Sequence, residues 1–212
     1  MKKPMIAVVV ALLLSRLAWA ESPMLADVQK QWAVANYELK GDEQIKAFEK
    51  LIEQTDGYLQ QNGADVDLLI WRGIVKSTLA GAKGGLGALS LAKGARADLE
   101  KSLDLDAKAL SGSAHTSLGT LYHNVPGWPI GFGSDKKARK HFEQALAINP
   151  AGIDSNYFYG QFLFDEGKYS EAEKYLLAAQ AAPARPNRPL ADKGRQQEIG
   201  ELLQKLEKKL KK

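Results

Sequence analysis

The stretch DSNYFYGQFLFDEGKYSEAEKYLLAAQAAP, residues 154–183, decides the fold. Within it Gly160 is followed twelve residues later by Ala172, and then by Leu176 and Ala179. Glu166-Gly167-Lys168-Tyr169 lies between them and reads as a turn. The interval has a mechanical reason. A small residue on a first helix lets a second helix approach closely, and Ala172 and Ala179 supply small contacts on that second helix. The run Tyr157–Phe164 carries alternating aromatics, as a strand would, but the flanking pattern makes it helical. The segment therefore predicts a helical hairpin over 153–182.

Two stretched copies precede it. In one, Leu118-Gly119 and Tyr122 match the first helix, and Ala138, Phe142, Ala145, Leu146 and Asn149-Pro150 match the second helix and its exit. Gly119 to Ala138 spans 19 residues, an insertion of about 7. The inserted Val125-Pro126-Gly127-Trp128-Pro129-Ile130-Gly131-Phe132-Gly133 cannot continue a helix. In the other copy Gly73 opens the pattern, and Ala95, Leu99 and Leu103 close it. The gap of 22 there implies about 10 extra residues around the glycine run 81–87. A weaker copy at the front runs from Ala35 to Ala47 and Leu51. Four helix pairs follow, near 26–60, 65–106, 111–149 and 153–182, with a last helix from about 190 after the linker 184–189. Ile199, Leu202, Leu203, Leu206 and Leu210 form an apolar stripe on that helix, backed by Lys and Glu. A stack of repeats exposes an apolar face at its end, and such a helix would cap it.

This pattern resembles the tetratricopeptide repeat. The implied fold class is all-α, a TPR-like helical-hairpin repeat array with inserted loops and a C-terminal capping helix. The expected organisation is a signal peptide over 1–20, the repeat domain over 21–190 and a Lys-rich capping helix over 191–212. The signal reading rests on Lys2 and Lys3, a short apolar core from Met5 to Leu14, and Ala18-Trp19-Ala20 before a cut at Ala20/Glu21. Removing Lys2, Lys3 and Arg16 from the formal charge of +4 leaves +1, so no nucleic-acid partner is expected. The chain has no cysteine, which excludes thiolate chemistry and a lipid anchor on cysteine. The expected location is periplasmic or secreted, with no stable membrane anchor after cleavage.

The stretches at 112–122, 125–133 and 154–160 resemble a bacterial family of exported repeat proteins related to the T-component of TRAP transporters, and more distantly to the regulator of microtubule dynamics proteins. The resemblance implies a helical repeat protein that binds a ligand or partner and is not an enzyme. For the transporter-associated members it implies a lipid-anchored helper with an apolar channel, working beside a substrate-binding protein. This chain lacks the cysteine such an anchor needs.

Neither a catalytic constellation nor a cofactor is expected. His115 and His123 are eight apart and can share a helix face, but a zinc site needs three or four ligands. The glycines at 81–87 lack the Lys-Ser/Thr that ends a phosphate loop. No Gly-x-Ser-x-Gly elbow surrounds Ser111, Ser113 or Ser117. In repeats of this kind the first helix of each unit lines the concave face. The expected binding positions are therefore Trp32, Asn36, Thr120, His123, Asn124, Tyr157 and Gln161, with Ile70, Ile74 and Phe164 beside them. Trp128, held between Pro126 and Pro129, is expected either to wall a cleft or contact a partner, or to plug the space between helix pairs. The leading expectation is a protein or peptide partner, including a periplasmic substrate-binding protein, in an envelope assembly. The alternative is a small apolar or organic-acid ligand.

Overall fold

The computed structural model describes residues 22–211, the side chain of Leu86 excepted. The predicted signal peptide lies outside them. The helices are α1 (Pro23–Tyr37), α2 (Gly41–Asn62), α3 (Val66–Lys83), α4 (Gly85–Leu105), α5 (Ala109–Asn124), α6 (Asp135–Ile148), α7 (Ile153–Asp165), α8 (Tyr169–Gln180) and α9 (Pro189–Leu210). They form the four expected hairpins and the last helix, with no strand among the described residues.

Local chemistry sets the boundaries. The Ser22 hydroxyl accepts from the Leu25 N–H at 3.1 Å, ahead of Pro23 in the first turn of α1. Asp65 does the same for Leu68 at 3.0 Å at the start of α3. The turn between α7 and α8 passes through Gly167 at φ +74° and closes with Lys168 N–H to Leu163 C=O at 2.8 Å.

Three of the four hairpins close where a glycine faces a large side chain. A Cβ on Gly73 would lie 2.7 Å from Leu99, one on Gly119 2.7 Å from Phe142, and one on Gly160 2.9 Å from Leu176. The alanines paired with these glycines in the sequence reading, Ala95, Ala138 and Ala172, are fully buried. The residue that fills each glycine's notch, however, stands one turn further along the second helix.

The first helices form one layer: α1 packs on α3, α3 on α5, α5 on α7 and α7 on α9. Each second helix packs outside, against its partner and the next unit. Helix α9 takes the place of a fifth first helix and also packs on α1. A Cβ on Gly194 would lie 2.3 Å from the Tyr37 ring, so the last helix is notched where the first hairpin meets it. Ile199, Leu202 and Leu206 are buried in the core that serves α7 and α8, whereas Leu210 is exposed. The helix expected as a cap thus also joins the two ends of the array.

The insertion expected around 81–87 is not a long loop. Helix α3 runs to Lys83 and α4 starts at Gly85, with only Gly84 between them and Gly84 and Gly85 at φ +61° and +64°. The extra residues lengthen the helices to 18 and 21, against 13 and 12 in the last hairpin. The 125–133 insertion is the loop the sequence predicts. Gly133 N–H bonds to Pro126 C=O at 2.9 Å, and a Cβ on Gly133 would lie 1.7 Å from the Val125 oxygen.

Two glycine substitutions of opposite sign test this packing. Gly119→Ala drives a methyl into the buried Phe142 ring and is expected to cost about 1–3 kcal/mol. Gly57→Ala, inside α2 with nothing within 4 Å of the new methyl, is expected to gain about 0.5–1 kcal/mol from helix propensity. Denaturant midpoints moving in opposite directions are the expected readout.

Candidate functional site

The first-helix layer curves around a cavity of about 640 Å³. Of the residues predicted from repeat geometry, Trp32, Asn36, Ile74, Thr120, Asn124 and Tyr157 line it. Both insertions help to build it. The lengthened α3 and α4 contribute Gly81, Ala88 and Leu89, and the loop contributes Val125, Pro126 and Ile130 at one wall.

The other predicted residues stand elsewhere. Trp128 is 90 % exposed and does not line the cavity, so it is not packed between helix pairs. Gln161 and Phe164 lie outside the lining, and Ile70 is fully buried in the core. His123 also lies outside it. Its two ring nitrogens meet Asp135 at 2.9 Å and Asp165 at 3.1 Å, and its ring sits edge-on to Phe162. His115 instead faces His141, Nδ1 to Nδ1, at 3.0 Å. The two histidines that share a helix thus have separate partners. Among the described residues no group of three or more His, Cys, Asp or Glu side chains is placed to hold a metal ion.

One cavity wall is aromatic. Trp32 meets Trp71 edge-on at 5.7 Å and donates from Nε1 to Thr78 Oγ1 at 3.1 Å. Another part of the wall is a charged cluster carried by α7, α9 and the linker between α8 and α9. Asp154 accepts from Arg195 Nε at 2.9 Å and from Arg185 at 2.7 Å. Arg185 also donates to Asp192 at 2.7 Å, and Arg195 bonds Glu198. The Arg195 guanidinium lies 4.4 Å from the Tyr157 ring centroid and 4.5 Å from that of Phe158.

Burial pushes the Asp154 carboxyl up, but Arg195 and Arg185 more than reverse this and hold it well below the usual carboxylate range. Burial raises Glu198, with Arg195 opposing. Burial also raises the Tyr37 phenol. The cluster went unseen in the sequence because Arg185-Pro186-Asn187-Arg188-Pro189 reads as a linker, and Asp154 and Arg195 as ordinary surface charges. The only local signal was two arginines fixed between prolines in a short connection. Chemically, the site can hold an apolar body against aromatic rings and orient it with a few polar groups.

The histidine pair makes a pH prediction. Burial, then the charges of His115, Lys140 and Lys137, hold His141 down at about 4, and burial lowers His115. The unfolded chain takes up these protons near pH 6.5, so the stability they affect is complete above that value and is lost as pH falls toward 4. His123 runs the other way. Burial disfavours its charge, but Asp135 and Asp165 outweigh burial and raise it, so its contribution fades as pH rises through the raised value. His141→Gln is expected to show a smaller drop in melting temperature between about pH 7 and about pH 4.5 than the parent chain, by circular dichroism.

Residues 136–192, from α6 to the start of α9, match the tetratricopeptide repeat family. No curated protein matches the chain. The match and the stacked hairpins together make this an all-α protein with a tetratricopeptide-type helical repeat array.

Proposed function

We propose that the chain is an exported, non-catalytic binding protein whose cavity receives a segment of a partner protein in an envelope assembly. Tetratricopeptide repeats in general mediate protein–protein interaction and are non-catalytic scaffolds. The observation that carries the proposal is the cavity of about 640 Å³, framed by the first-helix layer and set with aromatic rings and a few polar groups. Export to the periplasm rests on the signal-like N-terminus. A periplasmic substrate-binding protein is the partner that the resemblance to the TRAP T-component family would favour.

A second reading, a carrier of a small apolar or organic-acid ligand, has one observation in its favour. Helix α9 meets α1, so the concave face is bounded at that seam and does not run on as an open groove. Purification from the native host followed by mass spectrometry separates the two: a co-purifying protein supports the first, a retained small molecule the second. Ser117 lines the cavity and is half-buried. Ser117→Trp is expected to fill the space and lower the yield of the co-purifying species at least about tenfold, with the helical spectrum retained. Unchanged yield from the folded variant would place binding on another surface.

A further inference from the structure

Among the described residues one cation of the cavity, Arg188, has no anion bonded to it. Arg185 and Arg195 hold Asp154, Asp192 and Glu198 between them. Arg188 lines the same cavity, and its guanidinium lies 4.9 Å from the centroid of the Trp71 ring. Among the described residues it forms no ion pair within 4.0 Å, and its Nε is buried without a hydrogen-bond partner. Burial and the adjacent Arg185 disfavour its charge and outweigh Asp154 and Asp192, which favour it without bonding it. A buried guanidinium nitrogen without a hydrogen-bond partner costs free energy, and a carboxylate is the group whose geometry matches a guanidinium.

Four other donors around the cavity are engaged, while the Tyr37 hydroxyl, like Arg188 Nε, is buried without a hydrogen-bond partner. Trp32 donates to Thr78, Thr78 to the Ile74 carbonyl, Thr120 to the Thr116 carbonyl and Asn124 to the Thr120 carbonyl. A ligand entering the cavity thus meets Trp32, Trp71, Leu89 and Phe158 as apolar surface, with the neutral Tyr37 hydroxyl and the Arg188 guanidinium as buried donors without a partner. Asp154 and Glu198 line the same space and disfavour a second negative charge.

We propose that the cavity binds a monocarboxylate on an apolar body, with Arg188 as the carboxylate contact and Trp71 as the ring that holds the guanidinium in place. This rests on the cavity being the binding site, as proposed above. The carboxylate belongs either to a small free acid or to the C-terminus of a hydrophobic partner chain, and the experiment separates these sources.

The purified protein is titrated by calorimetry with decanoate, decanol, and a short hydrophobic peptide (acetyl-Leu-Leu-Phe) carrying a free or an amidated C-terminus. Tryptophan fluorescence is read in parallel, because Trp32 and Trp71 line the cavity. An acid is expected to bind at least about tenfold more tightly than its neutral counterpart, the size of one charge-assisted hydrogen bond. Arg188→Gln is expected to abolish that preference while leaving the neutral compound's affinity unchanged, and Arg188→Lys to restore part of it. A preference confined to decanoate assigns a free acid, and one confined to the peptide assigns a chain terminus. Equal binding of acid and neutral forms in the parent protein overturns the role of Arg188 and leaves the cavity as a binding site. No binding of any probe overturns both readings. The comparison in the parent protein stands whether or not the variants fold.

Discussion

The contact on which the architecture depends is a glycine notch filled by a large apolar side chain across three of the four hairpins. Gly73 receives Leu99, Gly119 receives Phe142 and Gly160 receives Leu176. Each filler is essentially inaccessible to water, so the close approach of two backbones and the burial of one bulky group are the same event. The weakest copy uses Ala35 in place of glycine, and it too is buried. Because neighbouring hairpins pack through the same helices, these notches also fix how the first helices align into a layer.

How much of this was legible follows from where the constraint lies. Notch and filler sit at fixed intervals in the chain, so the four hairpins and the last helix emerged at nearly their observed bounds. The glycine run 81–87 misled because glycine count was read as loop, whereas only Gly84 and Gly85 take the left-handed backbone that breaks a helix. Its flanking residues stay helical because Leu79, Ala80 and Ala92 are buried there. The cavity was half legible. Trp32, Asn36, Thr120, Asn124 and Tyr157 follow from repeat phase, and they line it. His123 is drawn off by Asp135 and Asp165, and Trp128 by a loop whose Gly133 folds back on Val125 and Pro126. The placement of Gln161 outside the lining has no such local cause. The arginine cluster was not legible, since pairing Asp154 with Arg195 requires knowing that α9 returns to α7.

The cavity owes its shape to departures from the regular repeat. Ordinary units would give a plain curved face. Here the longer α3 and α4 supply one wall, the 125–133 loop another, and the α8–α9 connection brings in charge. The charged cluster also explains why a polar connection can be drawn inward: three carboxylates and two arginines satisfy one another, while Tyr157 and Phe158 cover Arg195.

The seat of Tyr37 over Gly194 has a consequence for how the chain acquires its form. In an open solenoid each unit needs only its neighbour, so the ends can fray and growth can start anywhere. Here the first of the described hairpins finds its companion only in α9, the last of the described helices. Among the described helices the seam joins the pair farthest apart in sequence, and it converts a string of local units into one cooperative body whose completion waits on α9.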